Sequence, residues 1–251
     1  MAIIIKNERE IELIRESCRR LAIVHKELEE FIRPGISTKD IDILGDQLIR
    51  KLEGIPNFLH YNGYPASICV SVNEEVVHGI PNKHRILQEG DIVSLDAGMI
   101  YKGYHSDAAR THAVGKISPE AQKLIDVTRE SFFVGIKEAV AGNHLYSISN
   151  AIASYIKPHG YGIVRDLVGH GVGTKLHEDP QIPNFAQVKR GPRLRPGMTL
   201  AIEPMINMGR ADVEWLDDDW TVVTEDRSLS AHYENTILIT EEGEPEILTL
   251  Y

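Results

Sequence analysis

The 251-residue sequence predicts an α+β fold, a mostly antiparallel sheet with helices packed on one face. Three observations lead there. Helical and strand-like segments arrive in blocks: two helices and several strands, then two helices and several strands again. The strand-like segments are rich in β-branched residues and bounded by Gly, Pro and acidic turns. The third observation is an internal echo. LQEGDIVSLDAG (87–98) superposes on LRPGMTLAIEPM (194–205) at an offset of 107 residues, which sets Asp96 on Glu203, and HGIPN from His78 echoes HEDPQIPN from His177. A duplicated half that contributes one carboxylate and one histidine would build a site on a pseudo-twofold axis.

The elements follow in order. Residues 7–32 form an amphipathic helix with Ile11, Ile14, Leu21, Val24 and Leu28 at helical spacing, ended by RPG at 33–35. Ser37 or Thr38 caps a second helix carrying Ile41, Leu44, Leu48 and Leu52, which stops where Gly54 takes the left-handed conformation. A third starts at Ser118 with Pro119 in its first turn and closes at Gly142, and a fourth covers residues 147–157. Between them lie the strands ASICVSV, DIVSLDAGMI, GYHSDAARTHAVG, TLAIEPMI, TVVTED and SAHYENTILIT.

Composition narrows the function classes. With 42% hydrophobic and 25% charged residues the chain buries a large core, so one domain or two tightly joined halves is expected. Charges interrupt every apolar run before it could span a bilayer, and MAIIIKNERE lacks the apolar core and cleavage site of a secretory signal. Cys18 and Cys69 are too few for a disulfide framework, so a reducing, cytoplasmic setting is expected. The net charge of −10, from 37 acids and 27 bases, disfavours a phosphate-tracking surface and direct DNA binding. KRGPRLR (189–195) runs against that trend: Lys189, Arg190, Arg193 and Arg195 form either a solvated basic loop or a local contact with RNA.

Four acids sit where a core strand should be apolar. Asp96 and Asp107 lie in two strand-like runs that meet near Tyr101, Lys102 and Gly103, and a tight hairpin centred there would set them face to face, with Cβ atoms about 4.5–5.5 Å apart. Two carboxylates so close repel unless a cation lies between them. Glu203 follows TLAI and Glu234 opens the run ENTILIT; acids are seldom buried without partners. HGVGTKLHEDP (170–180), with Gly169 before it, adds His170 and His177 among three glycines. Four carboxylates and an imidazole can hold two divalent ions, and such pairs make water nucleophilic at neutral pH. Oxygen-rich ligation favours manganese, iron or cobalt over the thiolate-rich sites that select zinc.

HGIPN at 78, LDAG at 95, Asp107 eleven residues past Asp96, GHGVG at 169, HEDP at 177, EPM at 203 and AHYENT at 231 resemble, in order and over nearly the whole chain, the motif set of the type I methionine aminopeptidases. The resemblance implies the pita-bread fold and a single catalytic metallopeptidase domain, residues 1–251. It implies two divalent ions, cobalt, manganese, iron, zinc or nickel, held by Asp96, Asp107, His170, Glu203 and Glu234. A metal-bridging hydroxide would attack the carbonyl after an N-terminal methionine that precedes a small residue. Glu203 would serve as general base and proton shuttle, His177 would bond the carbonyl oxygen as it gains charge, and His78 would contact the scissile amide. Phe58, Tyr61, Tyr64, Cys69, Leu176 and Trp220 would wall the methionine slot, and Asn73 and Ser230 would hold a monovalent cation. Several family members carry a small thiol residue where this chain has Phe58. The resemblance further implies a cytoplasmic monomer acting on nascent chains, with the 189–195 loop touching the ribosome. Neither a cysteine-rich N-terminal extension nor the helical insertion of type II enzymes is seen in the sequence, so bacterial or organellar type I is the closer match. Two rivals remain: an X-Pro peptidase of the same fold, which generally carries an added N-terminal domain, and a metal-free binding protein, which should have lost ligands.

Overall fold

The structure is a computed structural model that describes residues 2–251. Four helices frame it: α1 (Glu8–Phe31), α2 (Thr38–Lys51), α3 (Pro119–Ile136) and α4 (Leu145–Ile156). Asn7 with Glu10, and Ser37 with Asp40, close capping boxes on α1 and α2, while Ser118 caps α3 ahead of Pro119. Two expected boundaries differ. Left-handed backbone after α2 falls on Glu53 rather than Gly54; Gly54 is needed for room, since a Cβ there would sit 2.6 Å from Met99. The third helix ends at Ile136, and turns at 137–138 and 141–142 follow, the second ending on the positive-φ Gly142.

The strands that build the site are β1 (Ile68–Val72), β2 (Ile92–Tyr101), β3 (Tyr104–Ala113), β4 (Gly169–Gly171), β5 (Glu178–Ile182), β6 (Thr199–Ile202), β7 (Met205–Asn207), β8 (Val222–Thr224), β9 (Ser230–His232) and β10 (Glu234–Leu238). A nine-stranded antiparallel sheet runs β2–β3–β10–β6–β4–β5, with β1 and Ile55–Pro56 sharing the outer edge of β2 and Glu246–Ile247 on β10. Two small three-stranded sheets flank it, one centred on β7 between β9 and Gly162–Ile163, the other on β8 between Val213–Trp215 and Glu75–Val77.

Two of the expected strands are each divided between sheets. TLAIEPMI breaks at Glu203–Pro204, because Pro204 has no N–H for the ladder, so β6 stays in the large sheet and β7 enters a small one. SAHYENTILIT breaks at Tyr233 in the same place, with β9 beside β7 and β10 beside β6. Glu203 and Glu234 therefore meet at one sheet-switching corner.

The core explains which side chains face the site. Leu21, Val24 and Leu28 of α1 and Ile41 and Ile49 of α2 pack on Ile68, Val70, Val93, Leu95, Ala97 and Ala108. In the other half α3 and α4 pack Leu124, Phe132, Ile148 and Ile152 on Leu200, Ile202 and Ile237. Both helix pairs thus cover one side of the sheet, half by half, in pita-bread form. Strand alternation sends the neighbours of those core residues to the opposite side: Cys69, Asp96, Asp107, His170, Glu203 and Glu234.

Candidate metal centre and substrate cavity

Register fixes the two aspartates. Lys102 and Gly103 close the β2–β3 hairpin at φ 48° and 85°, the two positive angles that a type I′ turn demands, and Tyr101 pairs with Tyr104. Asp96 consequently lies opposite Ala109 and Asp107 opposite Gly98. The expected face-to-face pairing is corrected to a diagonal one, about 7–8 Å in general, because the turn sits one residue later than the midpoint of the two acids. They still share a face, with room between them for an ion.

The other donors close around them. His170 Nε2 lies 3.7 Å from Asp107 Oδ2 and 3.6 Å from Glu203 Oε1. Donor atoms of Asp107, His170 and Glu234 all fall within 4.8 Å of one another, as do those of Glu203, Glu234 and a residue the sequence reading missed, His232. His170 Nδ1 donates to Gly171 O at 2.9 Å, which leaves Nε2 as the free lone pair a metal requires. Burial, then the neighbouring His177, lowers His170 to about 3.

Burial raises the Asp96 carboxyl to about 7. Asp107, Glu203 and Glu234 are pushed well above the usual carboxylate range, by burial first and by one another's charge second. Asp96 Oδ1, Asp107 Oδ1, Glu234 Oε1 and both His232 nitrogens are buried without a hydrogen-bond partner among the described residues. Unpaired polar atoms in such number are costly, and cations are what this donor set fits.

The glycines act by letting backbone come close. A Cβ on Gly171 would lie 2.4 Å from Asp179 O, and one on Gly169 would lie 2.4 Å from Ala201 O, so β4 fits between its neighbours only as GHG. His177 follows on the same loop, its ring 4.3 Å from that of His170 in a T-shaped contact, and its Nδ1 shares a 2.9 Å hydrogen bond with Tyr61 OH. Burial lowers its pKa, and burial followed by His177 lowers His78 to about 4. Both are neutral imidazoles near pH 7. His78 holds φ at 60°, a strained angle of the kind found at functional positions.

One cavity of about 480 Å³ is lined by Asp96, Asp107, His170, Glu203 and Glu234, by His78 and His177, and by all six expected wall residues. Phe58, Tyr64, Cys69 and Leu176 are buried together, with Tyr61 and Trp220 packed against them. Tyr64 meets Trp220 edge-on at 5.1 Å and anchors its hydroxyl on Gly79 O at 2.9 Å. Burial raises the Cys69 thiol well above its usual range, which suits a wall and not a nucleophile.

A sequence model of the metallopeptidase family M24 matches residues 12–241. The chain belongs to the metallopeptidase family M24. Among curated proteins it is similar to the methionine aminopeptidase of Clostridium acetobutylicum, 55% identical over 248 residues that cover 99% of each chain. The crystal structure of methionine aminopeptidase from Thermotoga maritima superposes with a TM-score of 0.97 at 45% identity, covering 100% of both chains. A prolidase from Pyrococcus furiosus shares the M24 fold at a TM-score of 0.77 and 24% identity, matching 99% of this chain but 66% of its own.

Other expected residues are placed as follows. Asn73 and Ser230 are neighbours, Ser230 N–H donating to Asn73 O at 2.9 Å, while their side chains bond Asp91 and Asn207. Lys189, Arg190, Arg193 and Arg195 are exposed beside Val188. One signal could have found His232: it lies two residues before Glu234, the spacing that keeps side chains on one side of a strand.

Proposed function

We propose that this M24 enzyme is a metal-dependent methionyl aminopeptidase that removes the N-terminal methionine of nascent proteins and peptides, preferring a small second residue. The observation that carries the reading is that one cavity holds both the five proposed donors and a slot of Phe58, Tyr64, Cys69, Leu176 and Trp220. A thioether is flexible and polarizable and packs well on aromatic edges, so the slot suits methionine. Divalent ions bound to Asp96, Asp107, His170, Glu203 and Glu234, two per chain in this reading, would supply water made nucleophilic at neutral pH.

The remaining chemistry belongs to the chain. Glu203, held with a raised pKa, accepts a proton from the attacking water and passes it to the leaving amine. His177, its pKa lowered by burial, would donate from Nε2–H to the carbonyl oxygen as negative charge develops, and the Tyr61 hydroxyl at Nδ1 supports that tautomer. His78 donates to or accepts from the scissile amide from the Trp220 side of the cavity, the two rings being 6.2 Å apart. The aromatic walls exclude water from the bond being cut.

The proposal extends to a single catalytic domain over residues 1–251, a monomeric state, cytoplasmic residence, a monovalent cation near Asn73 and Ser230, and transient ribosome contact through Lys189, Arg190, Arg193 and Arg195. Among the described residues no helix is long and apolar enough to cross a membrane. A peptide panel that varies the first two residues, assayed with and without divalent metal, tests the assignment. Release of methionine ahead of Ala, Ser or Gly is expected. Efficient release of leucine, or cleavage ahead of proline only, would move the chain to another substrate class.

A further inference from the structure

Lys6 lies in the extended segment that precedes α1, yet its side chain is 3% exposed and its Nζ donates to Glu178 Oε2 at 2.6 Å; the Glu178 side chain is 2% exposed. The segment is fixed by backbone as well, Lys6 N–H donating to Gly197 O at 2.9 Å. The other oxygen of Glu178 accepts from Lys175 N–H at 3.2 Å and from the Thr174 hydroxyl at 3.4 Å, closing the turn that runs from Gly173 to Glu178. Lys6 also lies across Gly173, where a Cβ would meet Lys6 Cε at 2.6 Å and the Glu178 carboxylate at 2.7 Å. Leu176 and His177, a wall and a polar group of the cavity, are carried on that turn.

A fully buried ion pair is a poor source of stability, because removing two charges from water offsets most of their attraction. What it does supply is geometry. A single rotamer of Lys6 meets a single rotamer of Glu178, and the turn between them cannot slide without breaking the pair.

We propose that Lys6 and Glu178 are positioning residues that hold the 173–178 turn so that His177 faces the scissile carbonyl and Leu176 faces the methionine slot. The proposal rests on the reading that His177 bonds that carbonyl. Turnover in this enzyme therefore depends on a segment that precedes its first helix and touches neither substrate nor metal donors.

The test uses the full-length manganese-loaded enzyme with Lys6→Met/Glu178→Gln, which removes both charges together and leaves none stranded in the interior. The glutamine still accepts from Lys175 N–H. Metal content is expected to stay the same, with kcat on Met-Ala-Ser down about tenfold and KM within about threefold, since misplacement by about an ångström costs up to a hundredfold. Added to His177→Ala, the pair should cause no further loss, as residues acting through one group are not additive. Wild-type kcat in the folded double variant, or a full extra loss in the His177→Ala background, overturns the proposal.

A second measurement separates this proposal from the role given to His177. The ring 13C–1H signal of His177, followed in zinc-loaded protein, should shift in the double variant while those of His144 and His159 stay. If His177→Ala leaves kcat intact, the carbonyl contact is wrong, and the ring signal alone then decides: a shift upholds positioning and an unmoved signal overturns it. Lys6→Arg, which keeps the charge pair but lengthens it, is read by the same signal should the double variant not fold.

Discussion

His177 and Glu203 are separable by experiment at the level of single side chains. His177 touches His170 and Tyr61, and its ring nitrogens lie outside the donor clusters. His177→Ala is therefore expected to lower kcat by about 10²–10³ with metal content unchanged, read by steady-state kinetics beside elemental analysis. Loss of an ion instead would make it a ligand. The four acids stood out in the sequence because each interrupts an apolar strand, where its charge has no cheap solution, and His170 by its glycine-rich loop; all five line the cavity. His232 and the Lys6–Glu178 pair were not. A histidine two residues before Glu234 carries only the hint of strand spacing, a lysine 172 positions from its partner carries none, and the folded contacts give them their place.

The strands and turns show where pattern reading stops. Alternation sorted the site-facing side chains correctly, since core and site residues alternate along β2, β3 and β6. It did not foresee the break of two strands at one corner, because the sheet a segment joins depends on distant partners, and Pro204 was the one local hint. The hairpin register was missed by one residue, as the positive angles at Lys102 and Gly103 move the turn past the midpoint of the two acids. At this scale the sharpest expectation concerns β4. Gly171→Ala sets a methyl 2.4 Å from Asp179 O, and separating β4 from β5 should destabilise the fold by about 1–3 kcal/mol, measured by denaturant titration of the metal-loaded protein. An unchanged midpoint would show that the neighbouring strand yields freely.

For the molecule as a whole, the buried acids link metal to stability. Asp96 titrates at about 7 when folded against 3.8 ordinarily, so between those values the native state keeps a proton the unfolded chain has released. Stability of the metal-free protein consequently falls as pH rises through that window. Cations relieve the penalty, and the Tm difference between manganese-loaded and chelated protein should grow by roughly 3–6 °C from pH 5.5 to 7 and level off above it. A constant difference would mean the acids are not coupled to the ions. Chelation should abolish Met-Ala-Ser cleavage, with manganese or cobalt restoring it; full activity after chelation would remove the metal from the reaction. The two halves, whose sequences echo one another at an offset of 107 residues, meet along β3 and β10, where among the described residues only Glu234 with Ala109 and Asn235 with Ala108 are paired. That seam is short, and the proposed donors straddle it: Asp96 and Asp107 come from one lobe, His170, Glu203 and Glu234 from the other. Ions bound there would be a clasp as well as a reagent. Hydrogen exchange of the amides bordering the seam should slow on loading, so that starving the cell of metal would loosen the enzyme along its own midline before it unfolds elsewhere.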